Sequence, residues 1–287
     1  MDKASIGIIG GSGLYAMEGV SDVKPLRPDT PFGVPSDEIT LATLTGVRVA
    51  FLPRHGKGHR LLPTEVPSRA NIAALKLLGV QKILAFSAVG SLHEPYAPRD
   101  FVVPDQLIDR TRHRPDTFFG DGIVGHVAFA HPFADKLGAL LFRHLREMDG
   151  VESHLGGTVV CMEGPLFSTK AESELYRSWG ARLINMSALP ESKLAREAGI
   201  EYALVCMVTD YDCWHPGHAD VDIQMVIGNL NANARTAQHL IRRALPDVAS
   251  SPRDQAIADA SKFAVITAPG KRPPATVAKL KGIIDGV

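Results

Sequence analysis

Three groups of residues in this chain could do chemistry together. Arg54 followed by His55 offers a planar fork of N–H donors and a second donor, a pairing suited to an anion such as phosphate. Ser12, Ser87 and Ser187 add three hydroxyls. Around Ser12, the run Gly10-Gly11-Ser12-Gly13 could turn successive backbone N–H groups into an anion-binding concavity. Asp210 and Asp212 flank Tyr211. A carboxyl accepts from an exocyclic amine and, when protonated, donates to a ring nitrogen. An anion at one end and a nitrogen-rich ring at the other would use the whole set.

Each group also has a plainer reading. Arg54 could pair with an acid, Ser187 could cap a helix, and the glycine run could be a tight turn with no ligand. His59 and His126 are isolated, and a lone His is more often a satisfied surface or core group than a ligand. Phe167, in Glu163-Gly164-Pro165-Leu166-Phe167-Ser168, is either core filler or a stacking platform. For Asp210 and Asp212 core packing fails as an explanation, because unpaired acids are costly to bury. Metal binding is their first rival, yet no His or third acid stands nearby at ligand spacing.

The elements that would position these residues are apolar runs. Ile6 to Ile9 runs into the glycine cluster, Val49 to Leu52 into Arg54-His55-Gly56, and Ile83 to Phe86 into Ser87-Ala88-Val89-Gly90. Leu183-Ile184 runs into Asn185-Met186-Ser187, and Leu204 to Val208 into Thr209-Asp210-Tyr211-Asp212. Strands buried on both faces read this way, and open α/β sheets bind ligands beyond the carboxyl ends of their strands. Helical spacing over Ser68–Leu78, Pro132–Met148, Thr169–Trp179, Pro190–Ala198 and Val221–Leu245 alternates with these runs. The expected architecture is α/β: a mostly parallel, twisted, mixed central sheet flanked by helices, in a single domain. Arg110 to Phe129 has no period and reads as a long functional or subunit-contact loop. Residues 1–246 read as the catalytic domain. Residues 247–287 read as an extension, a turn-rich linker and a short helix packed on the domain or on a neighbouring subunit.

Bulk properties narrow the function. The 287 residues are 45% hydrophobic and 22% charged, with Lys+Arg and Asp+Glu balanced at 31 each. Such a balance gives no global field to recruit nucleic acid or an anionic membrane. No stretch approaches the roughly 20 apolar residues of a membrane span, and three cysteines at unrelated spacings make neither a disulfide framework nor a zinc site. The expectation is a soluble cytoplasmic protein.

Taken in order, Ile8-Ile9-Gly10-Gly11-Ser12-Gly13-Leu14, Thr30 to Asp37, Arg54-His55-Gly56, Glu163-Gly164-Pro165, Asn185-Met186-Ser187 and Thr209 to Trp214 resemble the trimeric nucleoside phosphorylases. The resemblance runs from about Ile6 to Ala244 and is strongest to the branch that cleaves S-methyl-5′-thioadenosine. It implies that Ser12, Arg54, His55, Ser87, Ala88 and Ser187 hold phosphate. Asn185 and Met186 would lie along the ribose, Phe167 near the base, and Asp210 and Asp212 on the purine edge. His59, His126 from a neighbouring subunit, and Ile223, Val226 and Ile227 would surround the 5′ substituent. Asp210, Ser187 and His55 are the implied catalytic set. No metal or other cofactor is implied, inorganic phosphate being a co-substrate, and the implied assembly is a homotrimer or a dimer of trimers. Ser12, Ser87 and Ser187 stand where relatives often have Thr, and Leu166 where close relatives usually carry Arg. A 6-oxopurine enzyme would typically carry Asn at Asp210 and Glu at Ser168. Adenosine or 5′-methylthioinosine phosphorolysis, and a silent nucleoside-binding protein, are the alternatives.

Overall fold

The computed structural model describes residues 3–14, 17–217 and 223–287, without the side chains of Ser12, Ile223 and Met225. Its strands are β1 (Ile6–Gly10), β2 (Val20–Leu26), β3 (Ile39–Leu44), β4 (Val47–Pro53), β5 (Lys82–Ser91), β6 (Phe101–Val103), β7 (Gln106–Arg110), β8 (Ser153–Leu155), β9 (Thr158–Met162), β10 (Ala181–Asn185) and β11 (Glu201–Asp210). Helices α1 (Ser68–Leu77), α2 (Asp135–Arg146), α3 (Lys170–Ser178), α4 (Ala188–Glu197), α5 (Ile223–Ser250), α6 (Gln255–Ala258) and α7 (Pro274–Leu280) complete it.

One mixed sheet runs β2-β3-β4-β1-β5-β10-β9-β7, with β11 on β5 and β6, and β8 on β6. The central pairs β1/β4, β1/β5 and β5/β11 are parallel, as are β9/β10, whereas β10 meets β5 antiparallel. All five residues of β1 and all ten of β11 are buried. That is why their sequences read as continuous apolar runs rather than alternating ones. The core lies on both faces of the sheet: one cluster includes Ile72, Leu75 and Leu194, the other Leu141, Leu240 and Ile241.

Strand β5 decides where a ligand can sit. Its pairing with β1 ends at Ile9↔Ala85, and β10 takes up the same strand only at Gly90 and Ser91. Between those points the sheet splits. The expectation that β5 stops at Ser87 is therefore corrected: Ser87 and Ala88 lie within the strand, because β11 stays paired with it as far as Gly90. Helix α5 likewise continues past Leu245, through Pro246, to Ser250. Beyond it Leu280, Ile283 and Ile284 are buried in the first core cluster. Among the described residues no helix is long and apolar enough to cross a membrane.

Candidate functional site

The split in the sheet brings together residues far apart in sequence. Arg54 follows β4, and its N–H donates to Gly10 O, which sets the glycine loop beside it. Its guanidinium is buried: Nε and Nη2 donate to the two carboxylate oxygens of Glu191 at 2.6 and 3.0 Å, and Nη1 donates to Phe86 O at 2.8 Å. Phe86 lies just past the last β1 pair, so the arginine reaches a carbonyl that β1 leaves behind. Tyr202 on β11 donates to Glu191 Oε2 at 2.9 Å. Burial and the Glu191 charge hold that phenol well above its usual range.

The hydroxyls converge on the same place. Ser87 Oγ and Ser187 Oγ are 2.8 Å apart, and Asn185 Nδ2 donates to Ser87 Oγ at 3.3 Å. Ser187 occupies the cap position of α4 but makes no side-chain cap bond. The plainer reading of Ser187 fails, since its hydroxyl turns to Ser87 instead. Ser12 opens a 3-10 turn, Ser12–Leu14, and its side chain lies outside the described residues. A cavity lined by Arg54, His55, Ser68, Arg114, Ser187 and Glu191, among others, lies at this end.

His55 departs from the role of second donor. Its Nδ1 lies 2.9 Å from Leu61 O, a group that only accepts, so Nδ1 carries the proton. Burial, then the Arg54 charge, pushes the ring down to about 4. At neutral pH it is uncharged, with its one N–H committed and Nε2 an acceptor. His59 stacks on it with ring centroids 4.4 Å apart.

The other end is built by β11. Asp210 Oδ1 accepts from the Asp212 N–H at 2.8 Å. The Thr209 hydroxyl is 2.7 Å from Asp210 Oδ2 and 3.1 Å from Val89 O. A hydroxyl has one proton. When it serves Val89, the short contact to Asp210 requires the proton to sit on the carboxyl. Burial raises the Asp210 pKa in the same direction, against the two hydrogen bonds. Asp212 goes further, pushed up to about 6 by burial and by the Asp210 charge. Its Oδ2 is buried without a hydrogen-bond partner. Like-charge repulsion thus falls on Asp212. Gly90 makes room for the pair: a Cβ there would stand 3.0 Å from Asp210 Oδ1.

Two loops close in from the side. Gly164 sits at φ +68, and a Cβ would stand 2.4 Å from Met186 Sδ, so only glycine lets this turn pack on Met186. Thr169 and Glu172 form a capping box that starts α3. The Cys213 thiol reaches Ser168 O at 3.4 Å, tying the Asp212 loop to the loop that carries Phe167. Phe167 is 46% exposed and Leu166 82%, so neither is core filler.

The residues expected around a 5′ substituent are less gathered. Val226 is half-buried and Ile227 exposed on α5, while the side chain of Ile223 lies outside the described residues. His126 is exposed, and its segment is bonded to the tail through His126 N–H to Ala264 O. Reading the sequence missed Glu191, Arg114, Tyr202 and Thr209. For Glu191 a signal existed: an acid among the apolar residues of α4, four positions after Ser187.

The sequence profile of the phosphorylase superfamily matches residues 5–246. A protein of Synechocystis named S-methyl-5′-thioadenosine phosphorylase is 54% identical over 98% of this chain and 86% of its own length. The crystal structure of a methylthioadenosine phosphorylase from an antarctic soil metagenomic library superposes with a TM-score of 0.94 at 46% identity, covering 99% of this chain and 100% of that one. A mutant adenosine/methylthioadenosine phosphorylase from Schistosoma mansoni, solved with methylthioadenosine, gives a TM-score of 0.82 at 36% identity, covering 89% and 95%.

Proposed function

The chain belongs to the phosphorylase superfamily, and from that premise we propose that it catalyses the reversible phosphorolysis of S-methyl-5′-thioadenosine to adenine and 5-methylthioribose 1-phosphate. It is a pentosyltransferase of purine and methionine salvage. The observation that carries the choice of base is the buried carboxyl pair Asp210 and Asp212 at the end of β11, one of them holding an acceptor oxygen with no donor.

In the reaction a phosphate oxygen forms a bond to C1′ while the C1′–N9 bond breaks and its electron pair passes into the purine. Asp210 gives its proton to N7 as that charge develops, a general-acid role worth roughly 10²–10⁴-fold. Asp212 accepts from the 6-amino group. Arg54, oriented by Glu191, and the Ser87 and Ser187 hydroxyls seat the phosphate, with the Ser12 turn and Ala88 beside them. His55 Nε2 accepts from the O–H of hydrogen phosphate. Asn185 and Met186 border the ribose and Phe167 the base. His59, Val226, Ile227 and Ile223 surround the methylthio group, completed by His126 of a neighbouring subunit in a cyclic homotrimer acting in the cytoplasm. Phosphate is the co-substrate, and the chemistry asks for no metal or redox cofactor.

Base choice tests this reading. A 6-oxo purine brings an acceptor to an acceptor, and such mismatches are rejected strongly. Methylthioadenosine should exceed inosine by about 10² or more in kcat/KM. A preference for inosine would remove Asp210 and Asp212 from the base site.

A further inference from the structure

A second buried arginine lines the anion cavity, and its commitments differ from those of Arg54. Arg114 lies in the irregular segment after β7. Its Nη1 donates to Met186 O and Leu189 O, both at 2.6 Å. Its Nη2 donates to Glu163 O at 2.7 Å and Met162 O at 3.2 Å, and Nε stands 3.4 Å from Glu163 Oε1. A guanidinium has five N–H donors, and these five contacts use all of them. Arg114 therefore has no donor to give a ligand.

What it holds is the turn that presents Ser187. Met186 O belongs to the peptide that joins Met186 to Ser187, and Leu189 lies two residues further on. Leu189 is extended, at φ −116 and ψ 141, which interrupts the first turn of α4. Carbonyls in such a break lack helical partners, and buried ones need others. Arg114 supplies them, and through Met162 and Glu163 it ties the same turn to the end of β9. Lysine could not do this, because a single ammonium with three donors cannot span four carbonyls.

We propose that Arg114 is a positioning residue of the phosphate site, fixing the Met186–Leu189 turn so that Ser187 Oγ stays against Ser87 Oγ. This rests on the phosphate reading given above. Arg114 acts by geometry on Ser187 and by charge on His55, whose positively charged neighbours are Arg54 and Arg114.

The test uses the full-length protein at saturating methylthioadenosine with inorganic phosphate varied, in wild type, Arg114→Lys and Arg114→Met. In both variants the phosphate KM should rise roughly tenfold, the equivalent of one hydrogen bond to a charged group, while the methylthioadenosine KM changes by less than about twofold. The acid limb of kcat/KM for phosphate should stay in place in Arg114→Lys, which keeps the charge. It should move to higher pH in Arg114→Met, because His55 then protonates more easily. A glue residue would lower the melting temperature and leave both quantities alone, and that result overturns the proposal. Should neither variant fold, Glu163→Gln removes the carboxylate that orients Nε. A raised phosphate KM in that variant supports the proposal and an unchanged one overturns it. Wild-type turnover independent of phosphate would overturn the phosphate reading itself, whereas phosphate-dependent wild type with an unchanged Arg114→Lys overturns the positioning role alone.

Discussion

At the anion end of the cleft Arg54 is bonded to Glu191, Arg114 to four carbonyls and a carboxylate, and the Nδ1 of His55 to Leu61 O. At the base end Asp212 Oδ2 is buried with no partner, and between the two ends Asn185 Oδ1 is in the same state. A buried polar atom left unpaired costs about 1–3 kcal/mol. The difference teaches where each ligand does its work. On the proposed assignment, phosphate enters a cradle already held in shape by the protein's own ion pair and clamp. On the same assignment the nucleoside brings the donors that the other end lacks, which would make base binding the place where selectivity resides.

The largest effect should come from the base end. Asp210→Asn removes the proton given to N7 and should lower kcat on methylthioadenosine by about 10²–10⁴-fold. Asp212→Asn replaces the acceptor assigned to the 6-amino group by an amide that can donate, so in that variant activity on inosine relative to methylthioadenosine should rise in the same assay. An unchanged base preference in Asp212→Asn would break the comparison, since the base end would then not be reading the purine.

At the anion end the cost should appear in stability as well as rate. Arg54→Ala leaves Glu191 as a buried carboxylate without its cation, held only by the Tyr202 hydroxyl, and breaking such a pair costs about 3–5 kcal/mol. Denaturant unfolding should show that loss, and the phosphate KM should rise while the methylthioadenosine KM changes little. Glu191→Gln sharpens the point. It should destabilise the protein by a similar margin. A stable Glu191→Gln enzyme would mean that Arg54 is not held by this pair.

A smaller effect follows from the two displaced titrations. The folded His55 ring refuses its proton down to about pH 4, whereas the unfolded ring takes it near 6.5, so stability rises with pH across that window. Asp212 works the other way: folded, it keeps its proton up to about pH 6, and unfolded it loses it near 3.8. Its contribution is present at low pH and is lost as pH rises through about 6. Asp212→Asn removes the opposing slope. From pH 4 to 6.5 the variant's melting temperature should climb more steeply than the wild type's, by on the order of a few °C. Parallel curves would place Asp212 in solvent.

Much of this contrast was legible in the sequence because it follows from local runs. β1 and β11, buried on both faces, announce themselves as apolar stretches, and the residues beyond them are where an α/β sheet binds ligands. Asp210 and Asp212 could be singled out because acids next to such a run need a reason. What sequence spacing does not carry is which group stands opposite which. Glu191 meets Arg54 across 137 positions, and Ser187 meets Ser87 across 100. Nor could the apolar run of β5 reveal that the strand continues through Ser87, since that depends on β11 remaining paired after β1 has ended. Arg114 was hidden for a related reason: it sits in a segment with no period, and its partners are backbone carbonyls, which have no sequence signature.

The central claim is that two differently finished ends serve one displacement, with phosphate attacking as the base leaves. Adenine release from methylthioadenosine, followed in phosphate-free buffer and again with inorganic phosphate added, tests it most directly. The account predicts release only with phosphate, and one equivalent of 5-methylthioribose 1-phosphate for each adenine. Equal rates in the two buffers, with free methylthioribose as the product, would mean water is the nucleophile and would contradict the assignment of the Arg54, Ser87 and Ser187 end to phosphate.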